Sequence, residues 1–294
     1  MAENLMALKW GVERRLEFIE FRLFWEGGVN RSDIIDMFDV SVPQASKDLT
    51  LYQVRAPNNA LYDKSAKRYV ASDRFEPHFL KPDPGGYLSR LRSVAEGLID
   101  LSESWITQIL DVDVALTPRR DIDATVLRAV LSAVRDNRSV EIHYQSMSKD
   151  RPDPIWRRIT PHAFGYDGFR WHVRSYCHLT DMFKDFLLPR VLGIGALGES
   201  GAGAQYDTMW QQRFEVEIGP HPDLAASQKA VVAKDFGMES GSALLTVRYA
   251  MLFYVLKRLG LLGDAAKLPA SNQHIVVINQ AEVEAALAKA NFKS

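Results

Sequence analysis

The stretch Ile159–Val191, ITPHAFGYDGFRWHVRSYCHLTDMFKDFLLPRV, decides how this chain folds. Apolar and polar residues alternate on both sides of Asp167-Gly168, the pattern of two strands joined by a hairpin turn. In the second run the two-residue period places Arg170, His172 and Arg174 on one face and Trp171 and Val173 on the other. A strand with an apolar face and a row of cations opposite it is suited either to solvation or to holding an anion.

Strands continue on either side of that hairpin. VEIHYQS (140–146) and WRRITPHAF (156–164) precede it, and FKDFLLPRVLGI (183–194) follows, which makes a small, strongly bent sheet or barrel. Before them, Leu127, Val130, Leu131 and Val134 fall at i, i+3, i+4 and i+7, an amphipathic helix that Asp123 can cap. GIGALGESGAG (193–203) reads as a flexible linker; its G-x-G-x-x-G letters precede no helix and carry no dinucleotide fingerprint. Beyond it, strands at 214–218, 243–247 and 274–278 alternate with helices at 223–235, 250–261 and 280–290. Together they form a small α/β module suited to oligomerisation.

The N-terminal part has a different grammar. Leu16, Ile19, Leu23 and Phe24 give a helical stripe over 5–26, ended by Gly27-Gly28. Ser32 is a candidate cap for a short helix through Phe38. Ser41, with Pro43 in the first turn, starts a second helix, VPQASKDLTLY. Ala45 and Leu49 face the core there, leaving Gln44, Ser46, Lys47 and Thr50 outward. Two short helices across a tight turn, the second polar outside, describe a helix-turn-helix. LYDKSAKRYVA then makes a basic hairpin, a wing carrying Lys64, Lys67 and Arg68. Residues 76–86, rich in Pro and Gly, read as a boundary, 87–110 as mostly helical and 118–123 as a second break.

Composition narrows the function classes. At 294 residues, two or three domains are expected, and a net charge of −1 gives no overall basic excess. The basic residues are local: six Lys/Arg against three Asp over 43–74, and nine Lys/Arg against six acids over 138–190. One cysteine excludes an intrachain disulfide framework. No apolar run is long enough for a membrane span, and charges in the first fifteen residues argue against export, so a cytoplasmic protein is expected. G-x-S-x-G and P-loop motifs are absent from the sequence. His143, His162, His172 and His178 lack the close spacing of a zinc site, so neither an enzyme, a metal nor a cofactor is expected.

With Tyr144-Gln145-Ser146, Arg157-Arg158-Ile159-Thr160-Pro161, Asp167-Gly168-Phe169-Arg170-Trp171-His172-Val173 and Phe183…Phe186…Arg190 in this order, the chain resembles the WYL-domain transcriptional regulators. The naming triplet appears as Trp171-His172-Val173, a spelling similar to that of repressors of BREX and CBASS phage-defence operons. Asp48-Leu49 and Tyr62-Asp63-Lys64 also fit that group. The resemblance implies an α+β multidomain protein: a winged helix-turn-helix (1–80), a helical linker (81–120), a WYL domain of Sm/SH3-like barrel type (121–200) and a C-terminal α/β dimerisation extension (201–294). It implies a homodimeric repressor on a palindromic double-stranded operator, with a nucleotide or oligonucleotide ligand at the WYL domain.

Ser41, Gln44, Ser46, Lys47, Thr50, Lys64, Lys67 and Arg68 are then the expected DNA contacts. Tyr144, Ser146, Arg157, Arg158, Arg170, His172, Arg174 and Arg190 are the expected ligand contacts, arginine forks suiting phosphate and Tyr or His a base. The competing expectation is plain ion pairing, Arg190 with Asp185 and Arg157 or Arg158 with Asp153 or Asp167. Trp171, Phe183 and Phe186 are expected in the core. The alternative function is an accessory protein that binds single strands through the WYL domain without transcriptional control.

Overall fold

In the computed structural model, which describes residues 9–107, 110–115, 118 and 120–290, the chain divides into two units, 1–117 and 118–294. Residues 5–8, expected in the first helix and in the stretch read for export, lie outside the described residues, as do 108 and 109.

The first unit opens with α1 (Trp10–Trp25), α2 (Arg31–Phe38) and α3 (Val42–Arg55). α1 is buried on more than the expected stripe: Phe18 and Phe21 join Leu16, Ile19 and Leu23 inside, while Phe24 stays half-exposed. The cap of α2 is Asn30 rather than Ser32. The Asn30 side chain accepts from Asp33 N, and the Asp33 carboxylate accepts from Asn30 N at 2.7 Å, a reciprocal capping box. Asp39 then takes a left-handed conformation (φ 49°) and turns the chain into α3, where Ser41 and Pro43 act as expected. β1 (Ala60–Asp63) and β2 (Arg68–Ala71) form the wing, Tyr62 opposite Tyr69, with Asp63 closing the turn by accepting from Ser65 N and Ala66 N.

The expected boundary near residue 80 is not a loose joint. Glu20, fully buried in α1, accepts the amides of His78, Phe79 and Leu80 at 2.7–3.0 Å, so the Pro/Gly-rich stretch is fastened to the core. α4 (Pro84–Ala95) follows and is shorter than expected, ending before Gly97 (φ 66°). Leu91, Trp105 and Ile106 lie in the same core as α1, and the Trp105 ring meets Phe18 and Phe21 edge-on.

In the second unit α5 (Ala124–Arg135) is capped by Asp123, whose carboxylate accepts from Thr125 N at 2.7 Å. Its buried line is Val126, Val130 and Ala133, and Leu131 is 41% exposed. The apolar arc is therefore centred one position earlier than the expected stripe, with Leu127 at its margin. α5 packs on five antiparallel strands, β3 (Ser139–Tyr144), β4 (Ile155–Tyr166), β5 (Trp171–Cys177), β6 (Met182–Leu187) and β7 (Val191–Gly198), in the order β6-β5-β4-β3-β7. β3 and β7, the first and last along the chain, pair, but β6 and β7 are edges, so the expected barrel is not closed.

β7 corrects the linker expected at 193–203. The glycines sit in a paired strand because neighbouring side chains occupy the space a Cβ would need: Trp156 and Glu141 beside Gly195, Arg158 beside Gly198. The hairpin turn is also longer than two residues. Asp167–Arg170 form the loop, Gly168 has φ 89°, and Asp167 accepts from Phe169 N and Arg170 N. Arg170 thus precedes β5 instead of lying within it. Trp171, expected in the core, is 50% exposed against Tyr166, whereas Phe186 is buried and Phe183 partly so.

The remainder is α6 (Thr208–Gln211), β8 (Arg213–Pro220), α7 (Ala226–Asp235), β9 (Ala243–Arg248), α8 (Tyr249–Arg258), β10 (Ile275–Val277) and α9 (Gln280–Ala290). The strands make an antiparallel sheet in the order β10-β8-β9, covered by Leu252 and Leu256 of α8 and Val283 and Ala286 of α9.

Candidate nucleic-acid interface and sensor site

α3 is fixed from behind by Ala45, Leu49 and Tyr52, all buried, which leaves one side free. On that side Lys47 and Thr50 are exposed, and Ser46, Lys47, Thr50, Leu51 and Val54 line a shallow hollow of about 400 Å³. The two hydroxyl hydrogens are used within the helix, Ser46 Oγ donating to Val42 O and Thr50 Oγ1 to Ser46 O, each at 3.0 Å. Both oxygens therefore face outward as acceptors. Ser46 already accepts from Arg31 Nη1 at 3.3 Å, a residue of α2 that sequence reading passed over because fifteen positions separate the two.

Gln44 donates through Nε2 to Asp48 at 3.0 Å, and Ser41 is occupied as the helix cap. On the wing, Lys64 and Lys67 project into solvent. Arg68 does not project with them. Its guanidinium turns back and donates to the carbonyls of Glu26 and Gly28, tying the wing to the end of α1. Gly28 (φ 149°) leaves no room for a Cβ beside that guanidinium and Tyr69 O.

The eight expected ligand contacts separate into three places. Tyr144, Arg157, Ser146 and Arg190 lie towards one end of β3: Tyr144 pairs with Ile155 and Val191, and Gln145 N donates to Arg190 O. Arg157 is 7% exposed, its guanidinium 5.3 Å from the Tyr144 ring centroid and 5.8 Å from that of Phe186. Among the described residues its buried Nε and Nη2 meet no acceptor, an expensive condition for a cation unless an anion comes to it. Tyr144 Oη accepts from Leu187 N at 3.2 Å. Neither Asp153 nor Asp185 pairs with Arg157 or Arg190 among the described residues.

Arg158 faces the other side of the sheet. It pairs with Glu141 at 3.7 Å, donates to Ser139 Oγ at 3.1 Å, and lines a hollow of about 540 Å³ with Tyr176, His178 and Gly201.

Arg170, His172 and Arg174 form the third group, at the junction of the five-stranded sheet with the C-terminal module. Arg174 donates to Asp207 through Nε at 2.7 Å and Nη2 at 3.0 Å, and to Asp185 through Nη1 at 3.3 Å. Tyr254 of α8 donates to Asp185 at 3.1 Å, and its ring centroid lies 4.4 Å from that of His172. His162 hydrogen-bonds Asp207, and His172 and Arg170 hydrogen-bond Asp167, each at 3.0 Å. Burial alone would raise the Asp207 carboxyl, but the hydrogen bonds from His162 and Arg174 outweigh it and hold the pKa at about 2. Asp167 is likewise held at about 2: burial opposes, and His172 with the Arg170 and Phe169 amides prevails. Burial and the charge of Asp185 push the Tyr254 phenol well above its usual range. The charges of Arg170 and Arg174 are thus neutralised by aspartates from the hairpin loop, β6 and the start of α6.

Residues 11–93 match the BrxR transcriptional regulator winged helix-turn-helix domain, 125–195 the WYL domain and 213–283 the BrxR transcriptional regulator C-terminal dimerization domain. A protein of Stenotrophomonas maltophilia named DNA-binding transcriptional repressor CapW is 38% identical over 278 residues, covering 94% of this chain and 92% of its own. The chain belongs to the CapW family of WYL-domain transcriptional regulators. A CapW of Escherichia coli is 36% identical over 95% of this chain and 93% of its own, and one of Pseudomonas aeruginosa 37% over 88% and 86%. This is a family of transcriptional regulators, not of enzymes. α3 and the wing fall within the matched winged helix, the Tyr144–Arg157 end within the matched WYL domain, and β8 to the first turn of α9 within the matched dimerization domain.

Proposed function

We propose that this CapW-family protein is a homodimeric, sequence-specific repressor of a phage-defence operon, acting in the cytoplasm, whose WYL domain binds a nucleotide or short oligonucleotide that alters operator affinity. Gln44, Ser46, Lys47 and Thr50 of α3 read or position the major groove, and Lys64 and Lys67 meet phosphates from the wing. The DNA contacts are supported by the free, polar side of a helix anchored through Ala45, Leu49 and Tyr52. One module has a small footprint, so a palindromic operator with half-sites about 34 Å apart fits a dimer built through the C-terminal module. No helix among the described residues is long and apolar enough to cross a membrane.

The ligand reading is carried by Arg157, whose two unpartnered nitrogens beside Tyr144 suit a phosphate and an adjoining base. Ser146 and Arg190 complete that site in this reading, whereas Arg170, His172 and Arg174 hold the C-terminal module to the sheet. Gel shifts on the duplex upstream of the protein's own coding sequence, with and without short oligonucleotides, test both parts. Binding no stronger than to random duplex at matched salt rejects the repressor. A response that survives Arg157→Ala rejects the ligand site.

A further inference from the structure

Asp48 is the point at which α1 and the outer row of α3 meet. It is 1% exposed, and among the described residues every donor reaching it is a side chain: Arg15 Nε at 2.6 Å and Nη2 at 3.3 Å from α1, and Gln44 Nε2 at 3.0 Å from one turn earlier in α3. The Arg15 side chain is itself only 13% exposed, so the guanidinium–carboxylate pair is held between the helices. A carboxylate accepts hydrogen bonds and donates none. Gln44 can therefore turn only its NH₂ group inward; the opposite amide orientation would set Oε1 against a carboxylate oxygen.

We infer that Asp48 is a specificity-determining positioning residue, which fixes the amide of Gln44 so that it presents one acceptor and one donor to the major groove. This rests on the reading of α3 as the base-contacting helix. With one Nε2 hydrogen given to Asp48, Gln44 retains Oε1 and a second N–H. Adenine offers N6–H and N7, which match both; guanine offers the acceptors O6 and N7, and the fixed amide can satisfy only one of them. Asn in place of Asp48 keeps the shape but can donate to Oε1, so Gln44 is free to reverse and the distinction disappears.

The test uses the full-length protein and duplexes of its own upstream operator in which each base pair is changed in turn. Relative affinities are measured by competition, so that the inactive fraction of any preparation cancels. Gln44→Ala is expected to lose roughly 10-fold discrimination or more at one A·T position. Asp48→Asn is expected to lose it at the same position to within about 3-fold, with the salt dependence of binding to random duplex unchanged, and to add nothing in the Gln44→Ala background. Gln44→Glu, repelled by Asp48 and left with acceptors only, is expected to move the preference towards cytosine. If Gln44→Ala changes no position, the base-reading role of α3 falls at Gln44. If Gln44→Ala flattens one position and Asp48→Asn leaves it intact, that role stands and the positioning role of Asp48 is overturned.

Discussion

Arg174 and Asp207, thirty-three positions apart, are joined by two parallel hydrogen bonds and are both buried. Asp207 also caps α6 by accepting from Trp210 N, so one carboxylate links β5 to the segment that starts the C-terminal module. Removing it strands a buried guanidinium with Asp185 as its remaining anion. Asp207→Ala is expected to lower unfolding stability by about 3–5 kcal/mol, read from urea denaturation. A loss below about 1 kcal/mol would mean that water replaces the pair.

The same pair sets an acid limit. The Asp207 and Asp167 carboxyls lie at about 2, below the ordinary 3.8, so the unfolded chain binds more protons between those values and stability rises with pH. Their contribution, about 2 kcal/mol each, is complete above roughly pH 4 to 5 and is lost as pH falls towards 2. Asp207→Asn should flatten the stability–pH curve in that window, read from urea denaturation at a series of pH values.

Arg157 carries the opposite expectation. Two of its nitrogens are buried without acceptors, a penalty of about 1–3 kcal/mol that the faces of Tyr144 and Phe186 offset only in part. Arg157→Met should leave the melting temperature unchanged or raise it while abolishing the oligonucleotide response of operator binding. A destabilised Arg157→Met protein would show that the guanidinium serves the fold.

The wing separates charge from structure within five residues, 64–68. Lys64→Ala or Lys67→Ala should each reduce the salt slope of log K by about 0.9 at constant stability. Arg68→Ala should instead lower stability, because its guanidinium holds the carbonyls of Glu26 and Gly28. Thermal unfolding beside salt-dependent gel shifts distinguishes the two kinds of residue, and equal behaviour of Arg68 and Lys67 would contradict the geometry.

Local grammar made much of the fold legible. Ser41, Pro43 and the Ala45–Leu49 spacing located α3, the alternation around Asp167 located β4 and β5, and Asp123 located the start of α5. What escaped depends on partners distant in sequence. Glu20 fastens residues 78–80, fifty-eight to sixty positions away, and no short window contains both ends of such a bond. The site was legible as residue types but not as an arrangement. Arg157 and Arg158 are neighbours in sequence yet face opposite sides of one strand. The cations opposite Val173 were visible, but Asp207, which answers Arg174, lies beyond the glycine-rich stretch that looked like the end of the domain.

That stretch, residues 199–206, behaves as a measured spacer. It leaves β7 at Gly198, is pinned midway where Gly201 N donates to Thr160 Oγ1 at 2.8 Å, and delivers Asp207 to Arg174 after a single 3-10 turn, Ala204–Tyr206. Added residues can loop out into solvent, whereas removing even one shortens the reach and pulls the carboxylate off its arginine. Tolerance to length change should therefore be one-sided, with insertions neutral and deletions as damaging as the loss of Asp207 itself.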